Sequence, residues 1–225
     1  MHRGRSPALV GILLALSIFV LWLSATQIAR FVRFGALLPM AHRLESGTPT
    51  ATQAVRELVP VAEGVREAGI CQGIFVKSGY TILLAELETE NQDTGYDSWV
   101  MAMERAEAFG RHALGCLPTN GDFWLKLARL HQATGEQPSE MLQFLNNSQL
   151  YAPAEPQVLA ARYAFYGHLT EASLQLVGEI IANDVRAICS ASGNDMRRFL
   201  DPPSQAVQRV INDVQPQCVI PRKPV

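Results

Sequence analysis

The chain contains no Cys-x-x-Cys pair, no Gly-x-Ser-x-Gly, no His-Glu-x-x-His and no glycine-rich phosphate loop. These absences remove thioredoxin-like redox chemistry and the commonest hydrolase, metalloprotease and nucleotide-binding chemistries. Histidine is scarce, at five residues. His112, His131 and His168 stand in helical patterns without a neighbouring Cys or Asp at a catalytic spacing. His112 and Cys116 share a helix face at i, i+4, but no second pair accompanies them to complete a metal site. No catalytic residue, metal ligand or cofactor is therefore expected. Positive charge is not in excess either. Arg3, Arg5, Arg30 and Arg33 take four of the 19 basic residues, leaving 15 against 21 acidic residues in the remainder. That balance excludes a nucleic-acid footprint and gives the remainder no attraction to anionic lipid.

Long apolar runs are also missing, with one exception. From Ala8 to Ala29 there is no formally charged residue. At about 1.5 Å per residue this run reaches across a hydrocarbon core of roughly 30 Å, so a single transmembrane helix is expected. Trp22 near one end, then Arg30 and Arg33, suit an interface. The alternative is a cleaved signal peptide, with Met1 to Arg5 as its basic start and Ser24-Ala25-Thr26 as small residues near a cleavage point. The run outlasts the apolar region usual for such peptides, which favours retention. Orientation is nearly balanced, since Arg3 and Arg5 face Arg30, Arg33 and Arg43 across the span.

Cysteines number four, Cys71, Cys116, Cys189 and Cys218, all beyond the apolar run. An even count suits an oxidising compartment, with buried free thiols as the alternative. If Ile70 to Thr89 and Asp97 to Cys116 are antiparallel helices joined by the polar Glu90 to Tyr96 turn, Cys71 and Cys116 lie at the same end. Cys189 with Cys218 would then staple the C-terminal segment. Three connectivities are open to four cysteines.

The chain divides into an anchor over residues 1–33, a connector over 34–50 containing Gly35, Pro39, Gly47 and Pro49, and one helical domain over 51–225. Ala54, Val55, Leu58, Val61, Ala62 and Val65 have helical spacing, with a kink expected at Pro60. Gly69 and Gly73 mark a break or a close crossing. Ile74 to Leu87 is read as helix on length and its Ala-Glu-Leu-Glu ending. Asn146-Asn147-Ser148 satisfies a glycosylation sequon but falls inside a helical pattern. Arg197-Arg198 has the residues to grip a phosphate, yet two arginines beside a turn are ordinarily solvated. Ser204 to Val214 reads as a last helix stopped by Pro216, with Arg222-Lys223-Pro224 as a frayed tail.

An internal echo recurs at 35 residues. Pro118 and Pro153 each close a helix, and Trp124 and Leu159 hold the same offset beyond them. Trp124, Leu127 and Ala128, then Gly135 at a turn, Phe144 on a second helix and Pro153 after it, resemble the tetratricopeptide repeat family. The likeness covers residues 97–187. His131 stands where that family usually has an aromatic such as Tyr, and Asn147 where it usually has a small residue. An ordinary helical bundle places apolar residues at similar intervals. The resemblance implies an all-α fold: one transmembrane helix followed by an array of helical hairpins whose inner helices bind protein partners. Projected onto this chain, the family's groove positions fall at Asp122, Arg129, Gln132 and His168.

One span followed by such a domain is similar to bacterial inner-membrane accessory proteins of envelope polysaccharide synthesis and export. The likeness rests on Leu114-Gly115-Cys116-Leu117-Pro118, Asp122-Phe123-Trp124-Leu125 and Ser148-Gln149-Leu150-Tyr151-Ala152-Pro153. It implies a non-catalytic scaffold in the bacterial inner membrane with its C-terminal domain in the periplasm, binding protein partners there and no nucleic acid. Two other roles stay open: a small subunit working through its transmembrane helix, and an assembly factor for cytochromes or other envelope complexes.

Overall fold

A computed structural model describes residues 7–221, with the backbone alone for residues 7–9. The basic start at Arg3 and Arg5 and the tail Arg222-Lys223-Pro224 lie outside the described residues. All regular structure among the described residues is helical. In place of the one domain expected from length, the chain forms two compact units, Met1–Ala102 and Met103–Val225.

In the first unit, α1 (Pro7–Phe34) contains a stretch, Val10–Phe34, apolar enough to cross a membrane, with a mean hydropathy of 2.1. Its apolar side chains from Val10 to Leu23 are all exposed. Such an uncovered apolar surface is larger than a water-soluble protein ordinarily leaves exposed. The other end of α1 is different in kind. Phe34 is 2% exposed, and the rings of Phe31 and Phe34 lie 5.1 and 5.8 Å from that of Phe75.

The connector expected over residues 34–50 is instead largely a packed helix, α2 (Leu37–Glu45), with Leu37 and Ala41 buried. Gly35 and Pro39 mislead because both are tolerated where one helix gives way to another: Pro39 sits in the first turn of α2, where its missing N–H is not needed. Only Ser46 to Ala51 is a true link. Gly47, at φ 67°, ends α2, with its N–H donating to Leu44 O and that of Thr48 to Arg43 O. This pairing leaves few helix-end carbonyls unsatisfied and requires a left-handed residue. Gly69, at φ 61°, ends α3 (Thr52–Glu67) by the same pattern, from Gly69 to Arg66 and Ile70 to Val65. Helix α3 runs through Pro60, which lies on its exposed face. There the carbonyl that Pro60 leaves unpaired can turn to water. Helix α4 (Gly73–Thr89) packs on α2 and α3. Phe75, Val76, Tyr80, Ile82 and Leu83 complete the core with Val55, Val59, Ala62 and Val65.

The division between units falls inside α5 (Tyr96–Cys116). The second unit continues with α6 (Gly121–Gly135), α7 (Pro138–Tyr151), α8 (Pro156–Phe165), α9 (Glu171–Leu176), α10 (Gly178–Cys189), α11 (Asn194–Arg197) and α12 (Gln205–Val214). Pro138 and Pro156 open α7 and α8 at first-turn positions, as helix sterics favour. Helices α6 and α7 form an antiparallel pair of closely crossing elements. A side chain on Gly121 would place its first carbon 2.6 Å from Ala152 Cβ and 2.7 Å from Ser148 O. No residue but glycine fits there without moving backbone. Ser204 caps α12 by accepting from Val207 N–H, so this helix starts where the sequence indicates.

Candidate functional site

Of the four positions projected from the repeat likeness, Asp122, Arg129 and Gln132 lie on α6 and His168 follows α8. Asp122, Lys126 and Arg129 fall on one face at i, i+4 and i+7. The opposite face, with Phe123, Leu127, Ala128 and Leu130, is buried, and α6 packs against α7 and α8. Arg129 is exposed, and its guanidinium makes no hydrogen bond or ion pair among the described residues. Asp122 is engaged with Lys126 Nζ at 2.7 Å. Lys126 carries as much charge on this face as Arg129 does, and sequence projection passed over it. Gln132 Nε2 donates to His168 O at 3.2 Å, so these two positions meet through His168's backbone while its imidazole stays exposed.

His131, the departure from the repeat pattern, lies in a polar cluster. Its ring is edge-on to Phe144 at 4.9 Å, with Nδ1 2.9 Å from Glu140 Oε2 and Nε2 3.4 Å from Glu107 Oε1. Trp124 Nε1 donates to Pro118 O at 2.8 Å and its ring lies 6.3 Å from Phe144, which fixes the start of α6 over the preceding turn.

Several polar contacts between distant parts of the second unit lie at similar separations. Gln132 meets His168, Glu136 accepts from Thr170 N–H at 3.0 Å, and Gln149 Nε2 donates to Asp184 Oδ1 at 2.7 Å, pairs that lie 36, 34 and 35 residues apart. Asn183 Nδ2 donates to Gln149 Oε1 across another 34. These contacts tie α6, α7 and the turn between them to the segment before α9, the start of α9 and α10. Among the proteins and families compared, no family, no curated protein and no solved structure matches the chain.

A fully buried ion pair lies within this unit and went unseen in the sequence. Arg162, 0% exposed, donates from Nε to Asp184 Oδ2 at 2.8 Å and from Nη2 to Asp184 Oδ1 at 2.9 Å. Its Nη1 donates to Ser148 O, Ser148 Oγ and Ala152 O at 3.1, 3.2 and 3.0 Å. Tyr166 OH donates to Asp184 Oδ2 at 2.6 Å. Burial alone disfavours a charged guanidinium, but the hydrogen bonds and charge of Asp184 outweigh it, and the Arg162 pKa is raised. Burial, with the adjacent Asp184 carboxylate, pushes the Tyr166 phenol well above its ordinary value. Arg162 thus ties the end of α7 to α8 and α10. Its chemistry is structural, because every charged atom is committed and no solvent reaches it. The sequon lies within α7, as its pattern indicated, with Ser148 buried and Asn146 exposed.

Cys189 and Cys218 form a disulfide with a Cα–Cα distance of 5.6 Å, holding the segment after α12 to the end of α10. Cys71 and Cys116 are disulfide-bonded as well, and no cysteine is free. Among the described residues no group of three or more His, Cys, Asp and Glu is placed to hold a metal.

Proposed function

We propose that this protein is a non-catalytic, membrane-anchored scaffold whose helical array binds protein partners in an oxidising compartment. The bacterial periplasm is that compartment in this reading, and α1 is a retained single span of the inner membrane. The observation that carries the proposal is the 34- to 36-residue spacing of the contacts joining α6–α7 to the segments one echo later. Stacked hairpins of the tetratricopeptide kind, with units of about 34 residues, produce that spacing. Such stacks line a concave binding surface with the inner helix of each unit. On α6 that face carries Arg129, with Lys126 and Asp122 beside it, and a guanidinium left free there suits a partner carboxylate in bidentate fashion. The partners in this reading are components of envelope polysaccharide synthesis or export.

In-cell crosslinking, followed by mild detergent purification and mass spectrometry, tests the reading. Crosslinks from residues 121–135 to periplasmic faces of envelope polysaccharide proteins, reduced by Arg129→Glu with α-helical content unchanged, are the expected result. Crosslinks to cytoplasmic proteins would overturn the location. A second reading, a subunit working through its span, draws on the uncovered apolar surface from Val10 to Leu23. Replacing that segment with an unrelated spanning sequence separates the two: the scaffold keeps its partners and the subunit loses them.

A further inference from the structure

The segment between the end of α10 and Pro221 lines a half-open cleft of about 440 Å³, a size in the range of small-molecule sites. Its walls come from two stretches of chain, one carrying Asn194, Arg197 and Arg198 and the other Gln215 and Gln217, and the Cys189–Cys218 disulfide lies in the lining. Two guanidinium groups reach this cleft, and among the described residues no carboxylate lines it. In a chain with more acidic than basic residues, that local balance is unusual.

The two arginines are held differently. Arg197 Nη1 donates to Ile188 O at 2.6 Å and Ser190 O at 3.0 Å, and Nη2 to Asn194 Oδ1 at 3.1 Å. These acceptors are neutral, so they fix the group and leave its charge uncompensated. Arg198 is exposed, and its guanidinium has no hydrogen-bond or ion-pair partner among the described residues. A fixed cation beside a free one can grip an oxyanion, the first supplying preorganised charge and the second a bidentate fork. The amides of Asn194, Gln215 and Gln217 can each donate and accept, which suits hydroxyl groups.

We propose that this cleft is a binding site for a small, hydroxyl-rich molecule bearing an oxyanion, of the sugar acid or sugar phosphate class. Arg198 and Arg197 take the anionic group, and the amides take hydroxyls. The disulfide holds the second wall in place, so the site exists only in the oxidised protein.

The test uses the full-length protein in neutral detergent micelles and ligand-observed NMR with glucuronate, glucose 6-phosphate and glucose as probes. Saturable binding of glucuronate or glucose 6-phosphate is expected, with glucose weaker by about tenfold or more. Whichever of the two charged probes binds tighter identifies the anion as carboxylate or phosphate. Arg198→Glu, on an exposed side chain, should weaken the charged probes by about tenfold or more, while Arg209→Glu outside the cleft leaves them unchanged. Joint Cys189→Ser and Cys218→Ser replacement should abolish binding with helical content retained. No saturable binding of either charged probe up to about 20 mM, or equal binding by Arg198→Glu and the parent, overturns the proposal. Neither result bears on the partner-binding face of α6.

Discussion

Both units close a helical core that is mostly apolar, and they differ in what they bury beside it. The first closes on apolar side chains, Phe34, Leu37, Phe75, Tyr80 and Ile82 among them, and its helices α2 and α3 end in left-handed glycines. The second places a charged pair, Arg162 and Asp184, at full burial in its core and starts α6, α9 and α12 with side-chain caps from Asn120, Thr170 and Ser204. Apolar contacts are non-directional and accept sliding, whereas a bidentate ion pair is satisfied at one geometry only. The first unit includes α1 and packs Phe34 against Phe75, while the second ties α7, α8 and α10 together through Arg162.

Removing one partner of the pair is the sharpest way to break the comparison. Asp184→Ala strands a buried guanidinium and is expected to cost about 3–5 kcal/mol. Phe75→Ala in the first unit is expected to cost a similar amount, about 3–5 kcal/mol, through its cavity. The two losses differ in how they can be repaired. Replacing Arg162 and Asp184 together by Met and Leu should recover most stability, because the desolvation cost of both charges disappears. Denaturant unfolding of full-length protein in micelles reads all three variants. If the double variant is as unstable as Asp184→Ala alone, the pair contributes more than mutual compensation.

Tyr166 gives a smaller effect with a pH signature. Tyr166→Phe removes a hydrogen bond to a charged acceptor and should cost about 1.5–3 kcal/mol at neutral pH. The phenol's folded-state pKa lies well above its ordinary value of 10.0. A raised folded pKa means that the stability it contributes is fully present below about pH 10 and is lost as the pH climbs toward the folded value. The parent should therefore lose stability above about pH 10, and Tyr166→Phe should lose less over the same window. Parallel pH profiles would remove Tyr166 from the account.

Local patterns were legible in the sequence, and long-range polar chemistry was not. The long apolar helix α1, helices α3 to α7, the cap at Ser204 and the glycine at the end of α6 all follow from composition, spacing, capping preference and turn residues. The Gly35 to Pro49 stretch was misread, since proline and glycine punctuate helix ends as readily as they mark loops. Arg162 and Asp184 were invisible because an Arg at one position and an Asp 22 residues on carry no periodic signal. Only the fold shows that they meet. On the proposed face of α6, Arg129 stood out as the exposed cation, but Lys126 did not. Salt-bridge partners at i, i+4 are so common on helices that Asp122 and Lys126 read as ordinary surface.

The caps offer the finest test of the contrast, because the helix starts of the two units can be exchanged. Asn120 Oδ1 accepts from Phe123 N–H at 3.1 Å, and Asn120→Ala is expected to cost about 1 kcal/mol. In the first unit, Ala51 occupies the same place before α3, with φ −67° and ψ 130°, and has no side chain to offer. That backbone already has the extended geometry a cap requires, so Ala51→Ser should stabilise the protein by about 0.5–1 kcal/mol. Opposite signs of nearly equal size, read from thermal unfolding of the full-length protein, would show that cap chemistry alone separates these helix starts. A neutral Ala51→Ser would mean that α3 is held at its N-terminus by packing, and that the apolar unit has no use for the directional contacts on which its neighbour in the chain depends.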